Sequence, residues 1–238
     1  YGDWSSDVCS SDLGLDVHTL DSRHNLLGEM SRKQKLLAES AEGRRLSDQQ
    51  EKAFALLTSG KVGRAFDLNQ EKDAVRDRYG RHMFGQSLLL ARRLVEAGVP
   101  MIQANMGRVQ TWDSHSNNFK RLKNDLLPPL DAGVSALLDD LKTGGLLDDT
   151  LVLVVGDFGR TPKVNEKDAG RDHWAPCFSA LFAGAGVRGG QVIGRSDATG
   201  AYPATTPFSP DDVGATVYHV LGVDPTSEIR DRQNRPTQ

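Results

Sequence analysis

Asp113, His115, Asp157, Asp172 and His173 are the side chains of this sequence best suited to hold a metal ion. They fall on three polar segments, each following a short apolar run. Asp113 and His115 lie within residues 105–118, Asp157 just after 151–155, and Asp172 with His173 within 163–176. In extended backbone, residues i and i+2 project to the same side, so Asp113 and His115 can converge on one ion. Carboxylate oxygen with imidazole nitrogen, and no cysteine, suits zinc, manganese or another divalent ion at a hydrolytic centre. Such an ion polarises an ester oxygen and lowers the pKa of water or of a hydroxyl nucleophile. Arg160 and Arg171 would complete the chemistry, since a guanidinium offers a planar fork to phosphate or sulfate. Asn117 and Asn118 could donate hydrogen bonds to substrate. Taken singly, each residue is better explained by a turn hydrogen bond or a surface ion pair. Their recurrence on successive strand ends is what points to a site.

The elements that would position them are legible as patterns. Leu151, Val152, Leu153, Val154 and Val155 run without a polar break, which predicts a strand buried on both faces. Gly156 ends it. In an open α/β sheet ligands bind at the carboxyl ends of strands, which is where Asp157, Arg160 and Thr161 follow. Residues 99–104, VPMIQA, predict an earlier strand, and a helix is expected from about 129 to 142 with Leu130, Val134, Leu137, Leu138 and Leu141 on one face. Strand, helix, strand in that order predicts a βαβ unit with parallel strands and a right-handed crossover. Residues 178–183 read as a third strand and 191–194 as a short one. Ser209 is expected to cap a last helix, with Pro210 at its first position and Asp211 and Asp212 favouring its dipole. Upstream the texture is helical. Phe84, Leu88, Leu89, Ala91, Leu94 and Val95 form the stripe of a helix over 81–97, closed by Gly98. Ser47 and Gln50 form a capping box for a helix ending at Gly60, and 15–40 carries loose helical spacing.

The chain has 238 residues, enough for one large α/β domain with a substantial core. Its formal net charge of −3, from 29 basic and 32 acidic residues, carries no nucleic-acid footprint. No apolar run approaches the roughly 20 residues that span a bilayer. Two cysteines, Cys9 and Cys177, make neither a disulfide framework nor a thiolate zinc site. Residues 2–13, GDWSSDVCSSDL, have neither periodicity nor the regions of a signal peptide, and they match one reading frame of a common short-read sequencing adapter. Residues 1–13 are therefore expected to be an artefact. Residues 14–238 are expected to be the C-terminal portion of a single domain whose N-terminal part is missing. Two motif matches fail. Gly184, Gly186 and Gly189 fit GxGxxG but lead into strand-like rather than helical sequence. Asp157-Phe158-Gly159 spells the kinase metal motif without the kinase catalytic loop. His219 reads as a packed helix residue.

Several longer motifs resemble one family. GDFGRTPKVN at 156–165, GRDHW at 170–174, TWDSH at 111–115 and GLLDDTLV at 145–152 look like the signatures of the domain of unknown function 1501 family. So do FGQSLLLARRLVEAGV at 84–99 and GGQVIGRSD at 189–197. These bacterial proteins resemble sulfatases and belong by similarity to the alkaline-phosphatase-like superfamily. The resemblance implies an α/β fold with a mainly parallel sheet flanked by helices. It also implies a divalent metal ion (zinc, manganese or calcium) and a hydrolase of sulfate or phosphate esters, small-molecule or glycan, in an exported protein. By the same resemblance Asp113, His115, Asp157 and His173 look like metal ligands and Arg160 like an anion-facing catalytic residue. Asp157 stands where the family more commonly has glutamate. The superfamily's nucleophile comes from an N-terminal strand region, so no residue here is assigned that role. The alternative expectation is an exported binding or structural protein on the same fold; a third is phosphoryl-transfer isomerase chemistry on the same metal site.

Overall fold

The computed structural model describes residues 60–106, 112–166, 168–224, 226–231 and 233–237, together with 21, 22, 25, 48 and 50–55. The expected artefact at 1–13, the capping serine at 47 and nearly all of the 15–40 stretch lie outside the described residues. Two compact units are present, Tyr1–Arg76 with Gln86–Ala104, and Asp77–Gly85 with Asn105–Gln238.

The first unit is helical where described. Helix α1 (Lys61–Phe66) is followed by α2 (Asp73–Tyr79) and α3 (Met83–Glu96), and the unit boundary falls within α2 and α3. The apolar stripe predicted for 81–97 is the buried face of α3, where Phe84, Leu88, Leu89 and Ala91 are all under 9 % exposed. That helix ends as expected. Gly98 adopts φ +88°, and the N–H of Val99 reaches back to the Leu94 carbonyl at 3.0 Å while that of Gly98 reaches Val95 at 2.9 Å. This doubly bonded stop needs a left-handed residue, which glycine adopts without a Cβ clash. Glu71 pairs with both Arg92 at 2.7 Å and Arg93 at 2.5 Å. Arg93 also donates to the Ala65 and Arg64 carbonyls at 2.8 and 2.6 Å, satisfying the end of α1.

The second unit is mixed α/β and holds the candidate site. Helix α4 (Asn118–Arg121) passes through a π-helical segment, Leu122–Leu126, into α5 (Leu127–Thr143). Of its predicted face Leu137 and Leu141 are buried and Leu130, Val134 and Leu138 half-buried, and Ala136 is buried beside them. Strand β1 (Val152–Val155) pairs antiparallel with β4 (Ala180–Ala183), in the register Val152↔Ala183 to Val155↔Ala180. Between them in sequence, β2 (Gly159–Arg160) pairs antiparallel with β3 (His173–Trp174). Helix α6 (Pro210–Val220) starts with the expected cap: Ser209 and Asp212 exchange side-chain and backbone hydrogen bonds. Strands β5 (Ile229–Arg230) and β6 (Pro236–Thr237) form a last small antiparallel pair.

Three expectations are corrected. Every strand pair among the described residues is antiparallel, so no parallel βαβ unit is seen. An apolar run specifies a strand, not which neighbour it takes: β1 is half-buried, with Val155 exposed, and is met by the chain returning through β2 and β3. Residues 99–104 form no ladder, although 101–106 alternate between exposed and half-buried as an extended segment does. Residues 191–194 are not a strand either: Val192 and Ile193 are 95 % and 74 % exposed and have no neighbouring strand to pair with among the described residues. No helix among the described residues is long and apolar enough to cross a membrane.

One buried contact of this unit has a measurable consequence. Tyr79 is fully buried, and its hydroxyl donates 2.9 Å to Oδ2 of Asp140 on α5, whose Oδ1 pairs with Arg78. Replacing Tyr79 by Phe removes one donor from a partly buried carboxylate. The expected cost is about 1 kcal/mol, read as a lower urea midpoint with an unchanged slope.

Candidate metal centre

The site is built on two loops that lock together through their backbones. At Asp113 the chain makes a tight turn, the Ser114 N–H donating to the Trp112 carbonyl at 2.9 Å. Ser114 lies inward, where it is 2 % exposed and its hydroxyl donates to Oδ1 of the equally buried Asn118. Asp113 and His115 are thereby turned the other way. The second loop lies against this one. The Arg171 N–H donates to the Ser114 carbonyl at 3.1 Å, and that of Asn117 to the Asp168 carbonyl at 2.8 Å. Asn165 ties both loops, its Nδ2 donating to the His115 carbonyl at 3.0 Å and its Oδ1 accepting from the Gly170 N–H at 3.1 Å. Gly170 allows the approach. A Cβ there would sit 1.7 Å from the His115 carbonyl oxygen, so no other residue fits without moving backbone.

Three side chains converge on one point. Asp113 Oδ1 lies 2.9 Å from His115 Nε2 and 2.8 Å from His173 Nε2, and the two imidazole nitrogens are 3.2 Å apart. A tetrahedral ion with ligand bonds of about 2.0–2.1 Å spaces neighbouring donors by about 3.3 Å, so this triangle needs only slight expansion to receive one. Asp113, His115 and His173 are accordingly a group that could hold a metal ion. The pairing of Arg160 with His173 in the β2–β3 register brings the guanidinium to the same place. Its Nη2 donates to Asp113 Oδ1 at 2.7 Å and to the Trp112 carbonyl at 2.9 Å. Phe158 packs on His173 with ring centroids 4.4 Å apart, which fixes the ring's outer face.

The contacts around His115 constrain its tautomer. Ionised Asp172 can only accept, so the 2.6 Å contact of its Oδ1 makes His115 Nδ1 the donor and leaves Nε2 of the neutral ring bare. That bare nitrogen faces Asp113 Oδ1, another acceptor, across 2.9 Å. The same nitrogen lies 3.2 Å from His173 Nε2, whose N–H can serve both it and Asp113 Oδ1. The arrangement also holds carboxylates ionised. Hydrogen bonds from His173 and then Arg160 lower the Asp113 pKa to about 2, and His115 lowers that of Asp172.

A family model described as a protein of unknown function, DUF1501, matches residues 6–238. The chain belongs to the DUF1501 family. Searches of curated proteins and of solved structures found no match.

Not every residue singled out in this DUF1501 chain joins the cluster. Asp157 lies outside the group of Asp113, His115 and His173, and its Oδ1 accepts the N–H of Phe158 at 2.9 Å, closing a local turn. Arg171 donates from Nε to the Thr161 carbonyl at 2.5 Å and from Nη2 to the Arg160 carbonyl at 3.1 Å. It braces β2 in this structure. Asn117 is exposed and takes a left-handed φ of 52° just before α4, so its conformation serves the turn into that helix. Ser114, Asn165 and Gly170 escaped sequence reasoning, because contacts between loops far apart in sequence leave no local pattern.

Two outcomes are expected. Gly170→Ala should separate the loops, lowering the urea midpoint and pulling His173 away from Asp113 and His115. In acid the sign follows from Asp113: its pKa is depressed, so its stabilisation is complete above the ordinary carboxylate value of about 3.9. That contribution is lost as pH falls through about 2. Relative to wild type, Asp113→Asn should therefore lose stability at neutral pH and converge with it in strong acid, which denaturant titrations across the range will show.

Proposed function

We propose that this chain belongs to a metal-dependent hydrolase of sulfate or phosphate esters, with Asp113, His115 and His173 as protein ligands of a divalent ion. The observation that carries the reading is the triangle of ligand atoms at 2.8, 2.9 and 3.2 Å. Two imidazoles and one carboxylate fit zinc or manganese better than calcium, which prefers a shell of six to eight oxygens. When bound, the ion supplies Lewis acidity at the ester oxygen and lowers the pKa of a hydroxyl nucleophile. Arg160, already beside Asp113, is placed to offset charge building on the transferred group. The buried Ser114 hydroxyl, engaged by Asn118, is not positioned as the nucleophile. An alkaline-phosphatase-like fold, a sulfated or phosphorylated small molecule or glycan as substrate, and export are parts of the same proposal. They draw on the motifs and family membership.

The engagement of both arginines favours a second reading, a metal-holding binding or structural protein that does not turn over esters. Arg160 is paired with a carboxylate and Arg171 with two carbonyls, so neither presents its full fork to an anion in this state.

Calorimetric titration of the full chain with zinc, manganese and calcium is the decisive measurement. One zinc or manganese ion per chain is expected, with at least tenfold weaker binding in His173→Ala. Asp157→Ala should lose less affinity. Hydrolysis of aryl phosphate or aryl sulfate by the loaded protein, absent in His173→Ala, supports the hydrolase. Stoichiometric metal without turnover supports the second reading, and no metal uptake overturns both.

A further inference from the structure

We propose that Asp172 is a positioning residue, whose carboxylate fixes the His115 imidazole in the tautomer that turns a bare Nε2 toward Asp113 and His173. The inference rests on the metal reading above and adds a residue to which that reading gives no role. Asp172 and His173 are consecutive, yet they meet opposite edges of one ring. His173 Nε2 lies 3.2 Å from His115 Nε2, while Asp172 Oδ1 lies 2.6 Å from His115 Nδ1. An ionised carboxylate accepts and cannot donate, so the proton of neutral His115 is held at Nδ1, and the free lone pair belongs to the nitrogen inside the cluster. The opposite tautomer would direct an N–H at the other donors and exclude an ion.

Asp172 is itself held from three directions. Its N–H donates to the Thr161 hydroxyl at 3.0 Å, and its carbonyl accepts from the Thr161 N–H at 2.8 Å. Asn165 Nδ2 approaches the same Oδ1 at 3.4 Å, while bonding the His115 carbonyl at 3.0 Å. Asn165 thus holds the main chain of the imidazole and the carboxylate that orients it. Because the backbone of Asp172 is secured by Thr161, its side chain can be changed without releasing the loop. A carboxylate on the outer nitrogen of a metal-binding imidazole fixes its tautomer and raises its basicity, and losing one costs about 10–100-fold in metal affinity.

Nitrogen NMR of the metal-free, histidine-labelled full chain in mildly alkaline buffer tests this directly, with His115→Gln assigning the signals. Wild type should show His115 protonated at Nδ1 and bare at Nε2. Asp172→Ala should release that preference and bind zinc about 10–100-fold more weakly in a competition titration. Asp172→Asn, whose Oδ1 still accepts from Nδ1, should keep the tautomer and lose less affinity, a rescue that a merely structural role does not predict. A wild-type tautomer together with wild-type zinc affinity in Asp172→Ala overturns the proposal. Should Asp172→Ala fold poorly, loss of the tautomer in well-folded Asp172→Asn overturns it instead. If wild type takes up no zinc but its Nδ1 proton depends on Asp172, positioning stands and the metal reading falls.

Discussion

Everything at the candidate site depends on one oxygen, Oδ1 of Asp113. It stands within hydrogen-bond distance of His115, His173 and Arg160, residues brought from one loop and the two paired two-residue strands. No one of these groups is rigid by itself, since the imidazoles and the carboxylate are all substantially open to solvent. What fixes them is the main chain beneath. The Ser114–Arg171, Asn117–Asp168 and Thr161–Asp172 backbone bonds fasten the loops edge to edge, and Asn165 closes the gap between them. Side-chain chemistry on the outside is therefore set by backbone pairing on the inside. That ordering costs conformational entropy, which a surface ion pair alone does not offset.

The charge pattern bears on what the site can accept. Two carboxylates, Asp113 and Asp172, are kept ionised by neighbouring imidazoles, and one guanidinium sits on Asp113. Asp113, His115 and His173 would hold a divalent ion, with His173 giving up the proton it now shares with Asp113. Arg160, beside Asp113, would stay close enough to balance the negative charge of an anion at that centre.

Sequence reading reached the fold unevenly, for physical reasons. Helices α3 and α5 were legible because their buried faces repeat every three to four residues, and α6, which buries no residue, because its start carries a capping serine and a proline. Strand β1 was legible as a strand, since five apolar residues between a turn and a glycine suit little else. Its partner was not legible: pairing is settled by where the chain returns, and the return is made through the two-residue strands β2 and β3, too short to leave a pattern. Residues 191–194 misled because Val192 and Ile193 have strand-forming side chains in a place where no described strand receives them.

At the site, residue type was informative and role was not. Asp113, His115 and His173 were visible as donors and do meet. Asp157 and Asp172 were visible too, each an aspartate after or near a strand, and nothing in composition separates a ligand from an orienting group. The difference is geometric. The Asp157 carboxylate folds back on its own following amide, whereas the Asp172 carboxylate reaches the outer nitrogen of an imidazole fifty-seven positions earlier. An imidazole has two nitrogens and can serve a metal with only one, so a histidine ligand leaves a second nitrogen to be satisfied. Each histidine of such a site therefore implies one outer acceptor, and for His115 the sequence places it immediately before His173.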